Sequence, residues 1–189
     1  MQLITAGVII AIWVAWFVYW LASARSAQRS KRTESVLSRL FHLALLLVGG
    51  VFTLFPPHVG PLPDTIIPNR TLALLLGVVV LLCGLGFTVW ARINLGQNWS
   101  GRIGMKENQQ LIRTGPYAIV RHPIYAGLII GALGSILAFD VVGGIITLCF
   151  VIVAYYRKSR IEEHWMIPQF GQDYLRYQRE VKALIPFVF

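Results

Sequence analysis

The stretch Thr71–Ala91, TLALLLGVVVLLCGLGFTVWA, is 21 residues long and contains no charged side chain. A helix needs about 20 mainly apolar residues to cross the hydrocarbon core of a bilayer, so this stretch predicts a transmembrane helix. Gly84–Leu85–Gly86 lies inside the run, where the tight turn of a dinucleotide-binding loop cannot form. The run therefore indicates an integral membrane protein.

Four more apolar segments accompany this run, at Leu3–Ala22, Leu40–Phe55, Ile124–Phe139 and Val141–Tyr156. The composition agrees, because 56 % of the 189 residues are hydrophobic and only 13 % are charged. In a typical soluble domain, about a quarter of all residues are charged. Asp140 alone separates the last two segments, which predicts a tight helical hairpin. We expect an all-α integral membrane protein of about five transmembrane helices.

The basic residues predict the orientation of these helices. Counted in the segments that follow the five helices, Lys and Arg number 5, 1, 5, 0 and 6. Sixteen of the 17 therefore lie on one side, as the positive-inside rule requires when the N-terminus is outside. Topology and anionic lipid account for the net charge of +9, so we expect the bilayer and no nucleic acid as partner. The expected location is a plasma (inner) membrane or an endomembrane.

Polar residues collect in two segments on the predicted cytosolic side. The loop Asn94–Tyr125 is too long for a simple connector, and its aromatic and apolar residues argue against disorder. The tail Arg157–Phe189 carries the adjacent acids Glu162 and Glu163. If the fifth helix continues, it brings these acids beside Arg121–His122–Pro123. We therefore expect a cytosolic pocket between the loop and the tail.

This division predicts two regions. Residues 1–93 form an N-terminal three-helix membrane region, and residues 94–189 hold the loop, the hairpin and the tail. Small residues at Gly127, Gly131 and Gly134 predict close helix packing, with Gly143–Gly144 facing them across the turn. The apolar segments lack charged residues at their centres, which disfavours a transporter or channel. Two separated cysteines predict neither a disulfide nor a metal site.

The run Gly115–Gly127, GPYAIVRHPIYAG, carries the most specific motif. Leu95–Ser100 (LGQNWS) precedes it, and Glu162–Glu163 and Phe170–Tyr177 (FGQDYLRY) follow it. In this order and spacing the motifs resemble the isoprenylcysteine carboxyl methyltransferase family, within the membrane-embedded isoprenylcysteine and phospholipid methyltransferases. The resemblance covers roughly residues 94–186, about half of the chain, and implies S-adenosyl-L-methionine as the cofactor.

Carried over residue by residue, the resemblance implies a cofactor site between the loop and the tail. The implied cofactor-binding residues are Gln109, Gln110, Leu111, Ile112, Tyr117, His122, Pro123, Ile124, Tyr125 and Glu162. The chemistry of the cofactor suggests further roles. Arg121 or His122 can pair a carboxylate, and Glu162 or Glu163 can pair an ammonium group or a ribose hydroxyl.

The candidate catalytic residues are Arg121, His122, Lys158, Arg160 and Glu163. The family has an arginine four residues before the cofactor-binding glutamate, assigned to the acceptor, and this chain has Lys158 there. Lysine keeps the charge but lacks the planar fork that binds a carboxylate at two points. We expect the methyl acceptor to be a lipophilic molecule that enters from the bilayer, and an isoprenylated thiol-acid, a phospholipid amine and a small thiol all remain open.

Two other classes of function remain as alternatives. An arginine–histidine–proline block also occurs in NADPH-dependent sterol reductases, and the glycine-rich hairpin also suits a non-catalytic membrane protein. His42, near the cytosolic end of the second predicted helix, is interpreted as a structural hydrogen-bonding residue. Tyr174 and Tyr177 are interpreted as packing residues.

Overall fold

The computed structural model describes residues 2–24, 34–54, 67–96, 110–140 and 143–186, and every regular element within these ranges is helical. The six α-helices are α1 Gln2–Ala24, α2 Val36–Leu54, α3 Arg70–Leu95, α4 Pro123–Phe139, α5 Gly144–Phe170 and α6 Gln172–Glu180. A short 3-10 helix, Gly115–Ala118, lies before α4. The predicted contact Gln109 and most of the loop that precedes it lie outside the described residues.

Each predicted apolar segment corresponds to one of the first five helices. Leu3–Ser23 and Arg70–Leu95 are long and apolar enough, by length and composition, to cross a membrane. Val36–Phe52 and Pro123–Phe139 are shorter apolar helices. The fifth helix is apolar only as far as Tyr156 and then continues through a polar stretch to Phe170. The all-helical class is confirmed, whereas the number of spanning helices stays a prediction.

The predicted hairpin between α4 and α5 turns at Asp140. This residue adopts the left-handed conformation, with φ 56°, and its N–H donates to the carbonyls of Ile136 and Leu137. Its Oδ1 accepts a hydrogen bond of 2.8 Å from the Ile67 N–H, which lies just before α3. The turn is thereby fixed to the segment that leads into α3.

Small residues bring the backbones of α3 and α4 into direct contact. A Cβ atom at Gly84 would lie 2.5 Å from the Gly131 nitrogen, and one at Gly134 would lie 2.3 Å from the Leu81 nitrogen. The glycines of α4 therefore face α3. Our expectation that they face Gly143–Gly144 is wrong, because a Cβ atom at Gly144 would meet the Ile136 side chain of α4 and not its glycines.

We expect Gly84→Ala to lower the free energy of unfolding by about 1–3 kcal/mol, the usual cost of overpacking a filled core. The added methyl group meets backbone atoms, which cannot move aside as a flexible side chain can. Gly86→Ala is a matched control in the same helix, since nothing lies within 4 Å of its Cβ position. Thermal unfolding of the purified variants in detergent measures both effects, and equal melting temperatures would contradict the close contact.

The remaining helices are attached to this α3–α4 pair and to α5. Trp13 and Trp16 of α1 donate indole hydrogen bonds to Ser135 and Thr88, at 3.0 and 2.7 Å. The Thr147 hydroxyl of α5 donates to the Gly49 carbonyl of α2 at 2.6 Å. Polar groups within the apolar segments thus form hydrogen bonds to neighbouring helices, and these bonds hold α1 and α2 against the bundle.

Candidate functional site

The tail returns to the arginine–histidine–proline segment through two backbone hydrogen bonds. The N–H groups of Arg121 and His122 donate to the carbonyls of Lys182 and Ala183, at 2.8 and 3.0 Å. Gly171, with φ 54°, separates α5 from α6 and adopts a conformation that favours glycine. The prediction that Glu162 and Glu163 lie beside Arg121–Pro123 is confirmed, because His122 lies 3.5 Å from Glu162 and 3.2 Å from Glu163.

Glu163 connects α5 to the Arg121–His122 segment and to α6. One carboxylate oxygen, Oε1, accepts from Arg121 Nη2 and Nε at 2.6 and 2.9 Å and lies 3.2 Å from His122 Nε2. The other oxygen, Oε2, accepts from Arg160 Nη1 at 3.0 Å and from Gln178 Nε2 at 3.1 Å. The Glu163 side chain is only 2 % exposed. We call Glu163, Arg121 and Gln178 the tail clamp.

Arg121 uses its guanidinium group within the protein. In addition to its bonds with Glu163, Nη1 donates to the backbone carbonyls of Gln178, at 3.2 Å, and Val181. The side chain is 8 % exposed. In this geometry Arg121 fixes the tail, and its predicted pairing with a ligand carboxylate stays a prediction.

Glu162 differs sharply from its neighbour, because its side chain is 29 % exposed. Its Oε2 lies 3.5 Å from His122 Nδ1, and the Tyr125 hydroxyl also hydrogen-bonds to the carboxylate. The rings of His122 and Tyr125 are stacked with centroids 5.5 Å apart. Lys158 Nζ lies 5.8 Å from the Tyr125 ring centroid. We call Glu162, His122, Tyr125 and Lys158 the Glu162 cluster.

In Glu162 and in Glu163, charge pairing lowers the pKa of the carboxyl group more than burial raises it. Burial alone would raise the pKa of Glu163, but the hydrogen bonds and charges of His122 and Arg121 lower that pKa to about 2. Burial would likewise raise the pKa of Glu162, and the His122 hydrogen bond outweighs it, so the net shift is downward. Burial lowers the pKa of His122, but its bonds to both glutamates raise that pKa above its ordinary value. Both acids are therefore ionised at neutral pH, and protonation of His122 is favoured.

These shifts predict a stability optimum between about pH 4.5 and 6.5. The stabilisation from Glu163, on the order of 3 kcal/mol for a pKa shift from 4.5 to about 2, is present above pH 4.5 and is lost as the pH falls. The stabilisation from His122 is present below pH 6.5 and is lost as the pH rises through its raised pKa. We expect His122→Gln to flatten the alkaline limb of melting temperature against pH, and the exposed His164→Gln to leave it intact. An unchanged alkaline limb in His122→Gln would contradict this assignment.

The structure also locates the other predicted contacts. Tyr117 and Pro123 are buried, and the Tyr177 hydroxyl donates to the Tyr117 carbonyl at 2.5 Å. Gln110 is exposed, whereas Leu111, Ile112 and Ile124 are partly buried. The 60 % exposed Arg160 side chain reaches Glu163 from outside. Direct contact of these residues with a cofactor stays a prediction.

Sequence reasoning missed three contributions to this region. Gln178 completes the tail clamp, Lys182 and Ala183 supply backbone carbonyls, and Tyr155 stacks on Tyr125 with ring centroids 5.4 Å apart. The spacing of Tyr174 and Tyr177 predicted one packed face of α6, and both rings are buried as expected. Gln178 follows Tyr177 directly and carries no separate signal in the sequence.

Comparisons with known proteins agree with the motifs. Residues 72–173 match the model of a family described as phospholipid methyltransferase. A protein-S-isoprenylcysteine O-methyltransferase of Schizosaccharomyces pombe is 35 % identical over 103 residues, which cover 52 % of this chain and 43 % of the relative. Protein-S-isoprenylcysteine O-methyltransferase B of Arabidopsis thaliana is 29 % identical over 117 residues, which cover 59 % of this chain and 58 % of the relative. The chain thus spans about half of the length of these relatives.

A solved structure shares the fold. It is described as the eukaryotic intramembrane Ras methyltransferase, isoprenylcysteine carboxyl methyltransferase, without a monobody. The two chains superpose with a TM-score of 0.50 at 20 % sequence identity, over 82 % of this chain and 54 % of that one. At this identity the similarity concerns the fold alone.

Proposed function

This chain belongs to the phospholipid methyltransferase family, and on that premise we propose that it transfers a methyl group from S-adenosyl-L-methionine to a lipophilic acceptor at a membrane. One observation carries the proposal. Of two adjacent acids, Glu163 is buried between Arg121 and Gln178 in the tail clamp, whereas Glu162 is partly exposed beside an imidazole ring and a tyrosine. Such an arrangement leaves one oriented carboxylate for a ligand.

The Glu162 cluster fits the cofactor by its chemistry. A partly exposed carboxylate can pair with the cofactor's ammonium group or a ribose hydroxyl. The face of Tyr125 suits a sulfonium or an adenine ring. Four cations, Arg121, His122, Lys158 and Arg160, surround two carboxylates, so an added anionic group meets a positive environment. We therefore assign Glu162, His122 and Tyr125 to the cofactor, and Glu163 and Arg121 to holding the site in shape.

The chain's own contribution to the reaction is mainly alignment. The cofactor supplies an activated methyl group, and transfer requires the nucleophile, the methyl carbon and the leaving sulfur to lie in line. The tail clamp fixes the end of α5 against the start of α4 and so fixes the distance between Glu162 and Tyr125. A carboxylate acceptor needs no general base, whereas an amine or thiol must first lose a proton.

The methyl acceptor can be described by its chemical class. The relatives are named as acting on protein-S-isoprenylcysteine, and the family as acting on phospholipid. Lys158 lies in the Glu162 cluster and supplies a single point charge to an anionic head group. The exposed Arg160 adds a second charge, weakened by solvent. An isoprenylated carboxylate, a phospholipid and a thiol with an apolar tail all fit a site at the membrane surface.

We place this site on the cytosolic side, because sixteen of the 17 basic residues lie on the side of the loop and tail. In a variant with Cys83 and Cys149 replaced by alanine, Pro68→Cys is expected to react with a membrane-impermeant maleimide in intact cells. Lys182→Cys is expected to react only after permeabilisation. Both positions are exposed, so accessibility is matched. Labelling of Lys182→Cys from outside would contradict the cytosolic site.

Titration of the purified protein with S-adenosylhomocysteine and, separately, with NADPH tests the proposed activity. We expect saturable binding of S-adenosylhomocysteine alone, measured by calorimetry in detergent. Binding of NADPH alone would favour a sterol-type reductase instead. Binding of neither compound to a folded, monodisperse protein would favour a non-catalytic membrane protein.

A further inference from the structure

Two other aromatic rings stack on Tyr125 of the Glu162 cluster. The centroid of the His122 ring, at the start of α4, lies 5.5 Å from that of Tyr125, with an angle of 8° between the two planes. The centroid of the Tyr155 ring, from α5, lies 5.4 Å from that of Tyr125, with an angle of 26°. The Tyr125 ring is thus close to parallel with both neighbours, and a tilt of this ring would weaken both stacks.

Tyr155 is itself held by a contact with α2. Its ring meets the His42 ring edge to face, with centroids 5.3 Å apart and an angle of 70° between the planes. The Tyr155 hydroxyl makes no hydrogen bond to the residues that the structure describes. The contacts that fix Tyr155 are therefore made by its aromatic ring and not by its hydroxyl group.

The position of Tyr155 in the sequence places it on the side of α5 that carries the site. Tyr155, Lys158 and Glu162 are spaced three and four residues apart, so they follow one side of the helix. Lys158 Nζ lies 5.8 Å from the centroid of the same Tyr125 ring, and Glu162 lies 3.5 Å from His122. One side of α5 therefore contacts Tyr125 and its neighbour His122 through three residues, of which Tyr155 comes first.

The adjacent Tyr156 lies on a different side of α5. Its side chain is 45 % exposed, and its ring stacks on no other ring among the residues that the structure describes. Two tyrosines next to each other in the same helix thus differ in whether their rings reach Tyr125. Tyr156 is therefore a matched control for substitutions at Tyr155.

We propose that Tyr155 is a positioning residue of the methyl-transfer site, which fixes the plane of the Tyr125 ring for cofactor binding. In this role Tyr155 acts through Tyr125 and does not itself touch the cofactor. Without the Tyr155 ring, Tyr125 is free to take other orientations, and binding must then order it, which lowers affinity. This inference rests on the proposed methyl transfer and adds to the same site a residue that lies outside the sequence motifs.

Binding of S-adenosylhomocysteine to purified variants in detergent, measured by calorimetry, tests this role. We expect Tyr155→Leu to raise the dissociation constant by about 3- to 10-fold, the scale of one aromatic stacking contact. Tyr155→Phe keeps the ring and should bind about as tightly as the wild type, as should Tyr156→Leu. The number of sites per protein should stay the same in all variants, because a partly unfolded sample loses sites rather than affinity.

A double-mutant cycle tests whether Tyr155 acts through Tyr125. Tyr125→Leu should weaken binding of S-adenosylhomocysteine on its own, since Tyr125 is assigned to the cofactor. Adding Tyr155→Leu to this variant should then weaken binding little further, because the ring that Tyr155 positions is already gone. Additive losses in the double variant would show that Tyr155 acts independently of Tyr125, and would overturn the proposal.

Two further outcomes would overturn the role of Tyr155. One is equal affinity of Tyr155→Leu and Tyr156→Leu for S-adenosylhomocysteine. The other is several-fold weaker binding by Tyr155→Phe than by the wild type, a comparison that holds even if Tyr155→Leu does not fold. A folded wild-type protein that does not bind S-adenosylhomocysteine at all would instead contradict the proposed methyltransferase, and with it any positioning role for Tyr155.

Discussion

Glu163→Gln is expected to lower the free energy of unfolding by about 3–5 kcal/mol, the usual cost of removing one partner from a buried ion pair. The substitution leaves Arg121, whose side chain is 8 % exposed, without its counter-charge. The glutamine amide keeps only one acceptor oxygen, so it cannot accept from both Arg121 and Gln178, and the contact between α5 and α6 is weakened. Thermal and denaturant unfolding in detergent measure the loss, and protease sensitivity of the tail reports where it occurs.

Glu180→Gln supplies the matched control. Glu180 pairs with Arg113 and so also joins the tail to the loop, but the two side chains are 49 % and 37 % exposed. An exposed pair contributes less than about 1 kcal/mol. The double substitution Arg121→Gln with Glu163→Gln should cost less than the sum of the single ones. Equal melting temperatures for Glu163→Gln and Glu180→Gln would contradict the tail clamp.

Glu162→Gln is expected to affect binding more than folding. Its carboxylate is partly exposed and makes no bond to the tail clamp, so the melting temperature should fall much less than in Glu163→Gln. Loss of a charge-assisted hydrogen bond weakens binding by about 1–3 kcal/mol, or roughly 5- to 150-fold in the dissociation constant of S-adenosylhomocysteine. Calorimetric titration of the wild type, Glu162→Gln and Glu180→Gln measures the difference.

The comparison between the adjacent glutamates gives the clearest outcome. If Glu162→Gln is folded and binds S-adenosylhomocysteine as tightly as Glu180→Gln does, the assignment of Glu162 to the cofactor is wrong. Weak binding by a destabilised Glu163→Gln carries a different meaning, because collapse of the tail would remove the site indirectly. Measuring unfolding and binding on the same preparations separates these two causes.

The helices themselves could be predicted from the sequence because hydrophobicity alone decides where a chain can cross a bilayer. Each apolar segment became a helix, and the last one continued far enough to deliver Glu162 and Glu163 to Arg121–Pro123. The motif around His122 likewise pointed to the correct family. These features depend on composition and order along the chain, which a sequence displays directly.

The division of roles between Glu162 and Glu163 could not be predicted in this way. Successive residues on a helix point about 100° apart, and which of them faces the bundle depends on the rotation of α5 against α4. That rotation follows from packing between distant segments. The structure turns Glu163 inward to Arg121 and leaves Glu162 at the partly exposed edge.

Long-range contacts account for the other differences between the sequence predictions and the structure. The glycines of α4 were expected to face Gly143–Gly144, but they meet α3, since the backbones of α3 and α4 approach each other at Gly84 and Gly134. His42 was interpreted as a structural hydrogen-bonding residue, but its buried Nδ1 has no hydrogen-bond partner among the residues that the structure describes. A hydrogen-bond deficit is a property of the folded neighbourhood, so it leaves no mark in the sequence.

Transfer of a tritiated methyl group from S-adenosyl-L-methionine to lipid-soluble acceptors measures the proposed methyltransferase activity itself. Membranes that contain the wild-type protein, Glu162→Gln or no added protein would be given prenylcysteine, phosphatidylethanolamine or an alkyl thiol. We predict that the wild type labels at least one acceptor and that Glu162→Gln labels it more slowly at low cofactor concentration. A folded wild-type protein that labels none of the three acceptors above the membrane background would contradict the claim.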